Sequence, residues 1–283
     1  MWWLLSGVIL AVMGWGILSA RRVLYPERRV FPPPNPLPPY TATELTAPDG
    51  ASFEVWRLHP LSPRARLLLF HGYYANRYQI LGLAERLRQR GYDVVLCELR
   101  GHGDRPGPCT LGIKETVDAG TVLEWARSLD GPVPLPVGVL GFSLGASVAC
   151  QVADIYPEVR AVVVDSIYSR FFPVLARSIR QQYHLPAIPW AWVSWWGLQL
   201  MLHRRLSSID PASLAPRLRQ PLFAIQGGED RRVAPLLGRE FYQRWAGPKE
   251  RWFEPQAPHV GIFARHPEEY GDRVASFFDR TLG

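Results

Sequence analysis

Apolar positions along the chain fall into three kinds of run. The first is unbroken: Trp2 to Ala20 carries no charged residue. As a helix it would be about 28 Å long, close to the thickness of a bilayer's hydrocarbon core. Trp2, Trp3 and Trp15 suit the two interfaces, and Arg21 and Arg22 close the run. The second kind is short, buried and strand-like: Arg66–Phe70, Asp93–Leu99, Val137–Leu140, Ala161–Asp165 and Leu222–Gln226. The third has helical spacing: Tyr78–Arg90, Ile113–Leu129, Ala146–Ala153, Leu236–Trp245 and Pro267–Leu282. Strands that alternate with helices predict a mostly parallel sheet covered on both faces, an α/β fold. A hairpin, Thr41–Ala47 and Ser52–Leu58 around Pro48-Asp49-Gly50, precedes this alternation. A short strand near Arg251–Phe253 precedes the last helix.

Two stretches break the rhythm. Pro26 to Pro39 holds seven prolines and reads as a semi-rigid spacer that keeps a folded domain off the membrane. Residues 166–221 are rich in tryptophan and proline and read as a helical cap inserted above the carboxyl edge of the sheet. Within the cap, Leu185–Leu202 is apolar, but Pro186 and Pro189 leave too little helix for a second span. The expected organisation is an anchor over 2–20, a linker over 21–40 and a catalytic domain over 41–283, with the cap at 166–221.

Charge and cysteines narrow the picture. The net charge is +7, carried almost wholly by scattered arginines. No nucleic-acid module accompanies it, so no nucleic-acid partner is expected. Cys97, Cys109 and Cys150 form neither a disulfide framework nor a zinc site, and no metal or cofactor is expected. Arg21, Arg22, Arg28 and Arg29 follow the apolar run and no basic residue precedes it. The positive-inside rule then predicts a single-pass membrane protein with its domain in the cytoplasm; a cleavable signal peptide is the rival reading.

The chemistry converges on Gly141-Phe142-Ser143-Leu144-Gly145. A strand leads in and a small-residue helix leads out, which is the context of a nucleophile elbow. A serine hydroxyl attacks only if a base takes its proton, and an acid must fix that base's tautomer. His259 lies in a loop before the last helix and is the candidate base. Asp230 ends Gly227-Gly228-Glu229-Asp230 after a buried strand and is the candidate acid; Asp165, at the end of the preceding strand, is its alternative. The N–H groups of Leu144 and Tyr73 are expected to form an oxyanion hole. Trp192, Trp195 and Trp196 fall near one helix face and are expected to line an acyl pocket.

These motifs, together with His71-Gly72 and Arg100-Gly101-His102-Gly103, resemble the α/β-hydrolase fold superfamily over Thr41–Gly283. The chain looks most like its membrane-anchored serine hydrolases near the prolyl-oligopeptidase and acylglycerol-lipase branches. That resemblance implies a serine hydrolase with a covalent acyl-enzyme, no cofactor and a small-molecule ester or lipid-like substrate. A short-peptide hydrolase and a binding protein on the same fold are the alternatives. Two departures stand out: Glu98-Leu99, where relatives often carry aspartate, and the tryptophan content of the cap.

Overall fold

The computed structural model describes residues 2–28 and 31–283, without the side chains of Trp2 and Leu4. Arg29, one of the four arginines expected beside the anchor, lies outside the described residues. An N-terminal helix, α1 (Trp2–Leu24), leads into an eight-stranded sheet with spatial order β1-β2-β4-β3-β5-β6-β7-β8. The strands are β1 (Thr41–Thr46), β2 (Ser52–Leu58), β3 (Ala65–Phe70), β4 (Tyr92–Cys97), β5 (Val137–Phe142), β6 (Val159–Asp165), β7 (Leu222–Gly227) and β8 (Lys249–Glu254). The hairpin β1–β2 is antiparallel and joins β4 antiparallel; every other pairing is parallel.

The inner strands β3, β4, β5 and β7 are buried at every position. Burial of both faces is why they read as continuous apolar runs and not as alternating ones. Helices α2 (Tyr78–Gln89) and α10 (Pro267–Leu282) cover one face, with the short α9 (Ile262–Arg265). Helices α3 (Ile113–Ser128), α4 (Leu144–Ile155) and α8 (Pro235–Arg244) belong to the other. The inserted cap consists of α5 (Phe171–Tyr183), α6 (Ala187–Leu202), a 3₁₀ turn and the short α7 (Pro211–Leu214).

The first forty residues differ from expectation. Helix α1 runs four residues past Ala20, and its second half packs on the cap helix α6. Ala20 and Leu24 of α1 are buried in the same core as α4 and the cap. The proline-rich segment does not stand clear of the domain. Pro34 and Pro36 to Pro39 lie along a groove with Leu81, Phe263 and Pro267, and Tyr40 stacks on Trp56 with ring centroids 3.8 Å apart. A stiff extended segment with apolar side chains gains more from lying on apolar surface than from standing in water.

Candidate active site

Ser143 sits between β5 and α4 with φ 53° and ψ −108°, a conformation that costs a non-glycine residue free energy. The crowding around the turn explains the flanking glycines. A Cβ on Gly141 would lie 2.1 Å from the carbonyl oxygen of Gly145, and one on Gly145 would lie 2.3 Å from that of Phe70. The Ser143 N–H donates to the Asp165 carbonyl at 2.8 Å, which ties the elbow to the neighbouring strand.

Two loops from adjacent strand ends meet this serine. His259 Nε2 is 3.0 Å from Ser143 Oγ, and His259 Nδ1 is 2.7 Å from Asp230 Oδ2. Asp230 is buried, and its other oxygen accepts the N–H groups of Arg232 at 2.9 Å and Val233 at 2.8 Å. Those bonds fix the direction of the carboxyl group. Gly227 permits the close passage of the two loops, since a Cβ there would be 2.3 Å from the Ala257 carbonyl. Glu229, one residue earlier than Asp230, is not buried with it.

Asp165, the alternative acid, is engaged elsewhere. Its oxygens accept the hydroxyls of Ser166 at 2.8 Å and Tyr270 at 2.9 Å. Burial pushes its carboxyl up to about 6, against the pull of those two donors. Ser166 Oγ in turn accepts the N–H of Val260 at 3.0 Å. Val260 follows His259 and has φ 54°, an outlier for a β-branched residue. The hydroxyl of Ser166 therefore holds a strained joint next to His259.

Tyr73 lines the same cavity as Ser143, while Leu144 opens α4 beside the serine. The Gly72 N–H donates to Gln79 Oε1 at 2.8 Å, which fixes the strand-end loop that carries Tyr73. The Tyr73 hydroxyl reaches back to the Val23 carbonyl of α1 at 2.7 Å. His71 and His102 are buried. His71 Nε2 lies 2.7 Å from Glu98, so the unusual Glu98 answers a buried histidine. Burial lowers His102 to about 4, which leaves it neutral at neutral pH.

The cavity at Ser143 and His259 has a volume of about 550 Å³. Phe31, Tyr73, Pro258 and Val260 give it apolar walls, and Arg231, Arg232 and Glu229 give it a charged rim. None of the three tryptophans expected there lines it. Trp192 and Trp196 are 55% and 42% exposed, and Trp195 packs edge-on against Phe172. The reason is rotational: α6 turns Ala191, Ser194, Gly197 and Leu198 inward, so Trp192 and Trp196 point away. Phe31, Gln79, Arg231 and Arg232 are not among the residues expected from sequence. Phe31 comes from the proline-rich segment, and nothing in its local pattern signals a place beside the serine.

Comparison with known proteins agrees with this architecture. A family model described as alpha/beta hydrolase fold matches residues 65–185. The uncharacterized protein YqkD of Bacillus subtilis is 22% identical over 84% of this chain and 79% of its own. The uncharacterized protein Rv2307c of Mycobacterium tuberculosis is 26% identical over 90% of this chain and 84% of its own. Among solved structures, the Pyrococcus furiosus esterase Pf2001 superposes with a TM-score of 0.75 at 28% identity, over 93% of this chain and 99% of that one. With this sheet order, a strained serine between β5 and α4, and these similar proteins, the chain has the α/β-hydrolase fold.

Proposed function

We propose that the chain is a serine hydrolase that cleaves carboxylic esters or thioesters with an apolar acyl group. The observation that carries the reading is the hydrogen-bonded series Ser143, His259, Asp230, at 3.0 and 2.7 Å, at the carboxyl ends of the sheet. Ser143 Oγ attacks the acyl carbon as His259 Nε2 takes its proton. Asp230 holds the His259 Nδ1–H and stabilises the imidazolium. The oxyanion is met by the N–H groups of Leu144 and Tyr73, with the dipole of α4 behind them. The carbonyl reforms and expels the alcohol or thiol, which receives the proton from His259. Water, deprotonated by His259, then attacks the acyl-enzyme and releases the acid. Phe31, Pro258 and Val260 suit an apolar acyl group.

Helix α1 anchors the enzyme in this reading. Leu5–Leu24 is long and apolar enough to cross a membrane. Four arginines at its carboxyl end favour a cytoplasmic domain, which predicts that protease added to intact cells spares it. The test of activity is labelling of the full-length protein by a fluorophosphonate, followed by turnover of p-nitrophenyl esters from acetate to laurate and of aminoacyl amides. Labelling that Ser143→Ala abolishes, with esters cleaved faster than amides, is the expected result. Equal labelling of wild type and variant would reject the serine, and preferred amides would make the protein a peptidase.

A further inference from the structure

The packing of α1 on α6 limits how α1 can enter a bilayer. The described side chains from Trp3 to Ala11 are all exposed, and burial against the domain starts at Val12. From Trp2 to Ala11 the helix is only about 15 Å long, the depth of one leaflet. A hydrocarbon core needs about 20 residues. If α1 spans, the part that lies against α6 must be inside as well.

The contact is close. Trp15 meets Trp190 with ring centroids 4.8 Å apart, and Ser19 Oγ lies 2.7 Å from Ser194 Oγ. A Cβ on Gly16 would be 2.6 Å from a Val193 methyl, and one on Gly197 would be 2.5 Å from the Gly16 carbonyl. Small residues with one interhelical hydroxyl pair are how helices associate in lipid, where no hydrophobic drive exists between them. Helix α6 holds no charge; Ser194 pairs with Ser19, and Gln199 Oε1 accepts the Leu206 N–H. On its outer side Trp192, Trp196 and Leu200 form an exposed stripe at four-residue spacing. Both helices run into arginines at their carboxyl ends, Arg21-Arg22 and Arg204-Arg205, which suits anionic headgroups. The remaining cap helix, α5, is wet: Arg177 and Arg180 line an open cleft with Arg232.

We infer that α6 is a second membrane-contacting helix: its Trp192–Trp196–Leu200 stripe lies in the hydrocarbon of the leaflet next to the domain, alongside the second half of α1. The continuous part of α6, residues 189–202, is about 21 Å long and enters that leaflet without crossing. The site is close to this surface, since Tyr73, which lines the cavity, bonds to the last turn of α1. An ester reaching Ser143 then comes from the bilayer side. The inference rests on α1 being the anchor.

The experiment uses full-length protein in vesicles of phosphatidylcholine and phosphatidylglycerol. A nitroxide is placed in turn at Trp192→Cys, Trp196→Cys, Leu18→Cys and Leu61→Cys, and its accessibility to oxygen is compared with that to an aqueous nickel chelate. All four side chains are exposed, so the label displaces no core, and Cys97, Cys109 and Cys150 are buried. Oxygen-to-nickel ratios at Trp192 and Trp196 should fall within about twofold of Leu18, and roughly tenfold or more above Leu61. Leu18 in lipid with both tryptophan sites as aqueous as Leu61 would overturn the inference and leave the anchor intact. An aqueous Leu18 would overturn both.

Discussion

Two contacts in this molecule do opposite kinds of work. At the sheet edge, position is fixed by polar atoms: Asp230 carries two backbone N–H donors and a histidine, and Asp165 carries two hydroxyls. Between α1 and α6, position is fixed by the near absence of side chain, at Gly16, Ala20 and Gly197, with one hydroxyl pair. The first arrangement gives directional precision and is vulnerable to the loss of a single atom. The second gives proximity and is vulnerable to the gain of one.

The largest effect should come from the polar side. Asp230→Asn should lower kcat by about 10⁴-fold, because an amide at that position favours the wrong tautomer of His259. Asp165→Asn, one strand away, should cost far less, since its amide oxygen can still accept one of the two hydroxyls and its NH2 can donate to the other. A reversal of the two would move the acid to β6. The same pair separates in pH. Asp165 titrates near 6 folded against 3.8 for an ordinary aspartate, so the unfolded chain loses that proton first. Its contribution to stability is whole below about pH 4 and is lost as pH rises through 6. The melting temperature of Asp165→Asn should therefore gain on wild type between those values; a constant difference would mean that Asp165 does not titrate there.

On the apolar side, Gly197→Leu adds atoms where a Cβ alone already meets Gly16. It should destabilise the full chain by about 1–3 kcal/mol, read as a lower melting temperature in detergent. Turnover of a short soluble ester should stay within about threefold, because the triad is untouched. An unchanged melting temperature would mean that α1 does not bind α6.

Ser166→Ala returns to the polar side with a smaller effect. Loss of the acceptor for the Val260 N–H frees the strained joint beside His259, and kcat should fall by about tenfold with KM unchanged. A fall in stability with normal kcat would leave Ser166 as ordinary core. Smallest is Ser194→Ala, worth about 0.6 kcal/mol if the Ser19 hydroxyl pair behaves as interhelical bonds in membranes do.

The same contrast explains what can be read from sequence. The strands are visible because both faces are buried, which leaves continuous apolar runs, and Pro267–Leu282 because its pattern has the helical period. The elbow is visible because its strain demands glycines at fixed offsets. Asp230 and Asp165 stay open as alternatives: both end a parallel strand, and only the meeting of the Gly227 and Ala257 loops separates them. The tryptophan spacing places those residues on α6, but a helix has no way to announce which face meets a neighbour. That depends on Gly16, Ser19 and Ala20, some 175 residues earlier. Phe31 at the cavity is illegible for the same reason.

The bond from the Tyr73 hydroxyl to the Val23 carbonyl bears on how such a protein is prepared. Cutting the chain after Leu24 is the usual way to obtain a soluble sample. Here the cut removes the acceptor of a residue in the cavity wall and strips Ala20 and Leu24 from the core. It also lays bare Ser194 and Gly197 of α6. A shortened sample would be sticky, and its kinetics would describe a damaged wall and not the enzyme. Full-length protein is the proper starting material, and a weak or inactive truncation says nothing about Ser143.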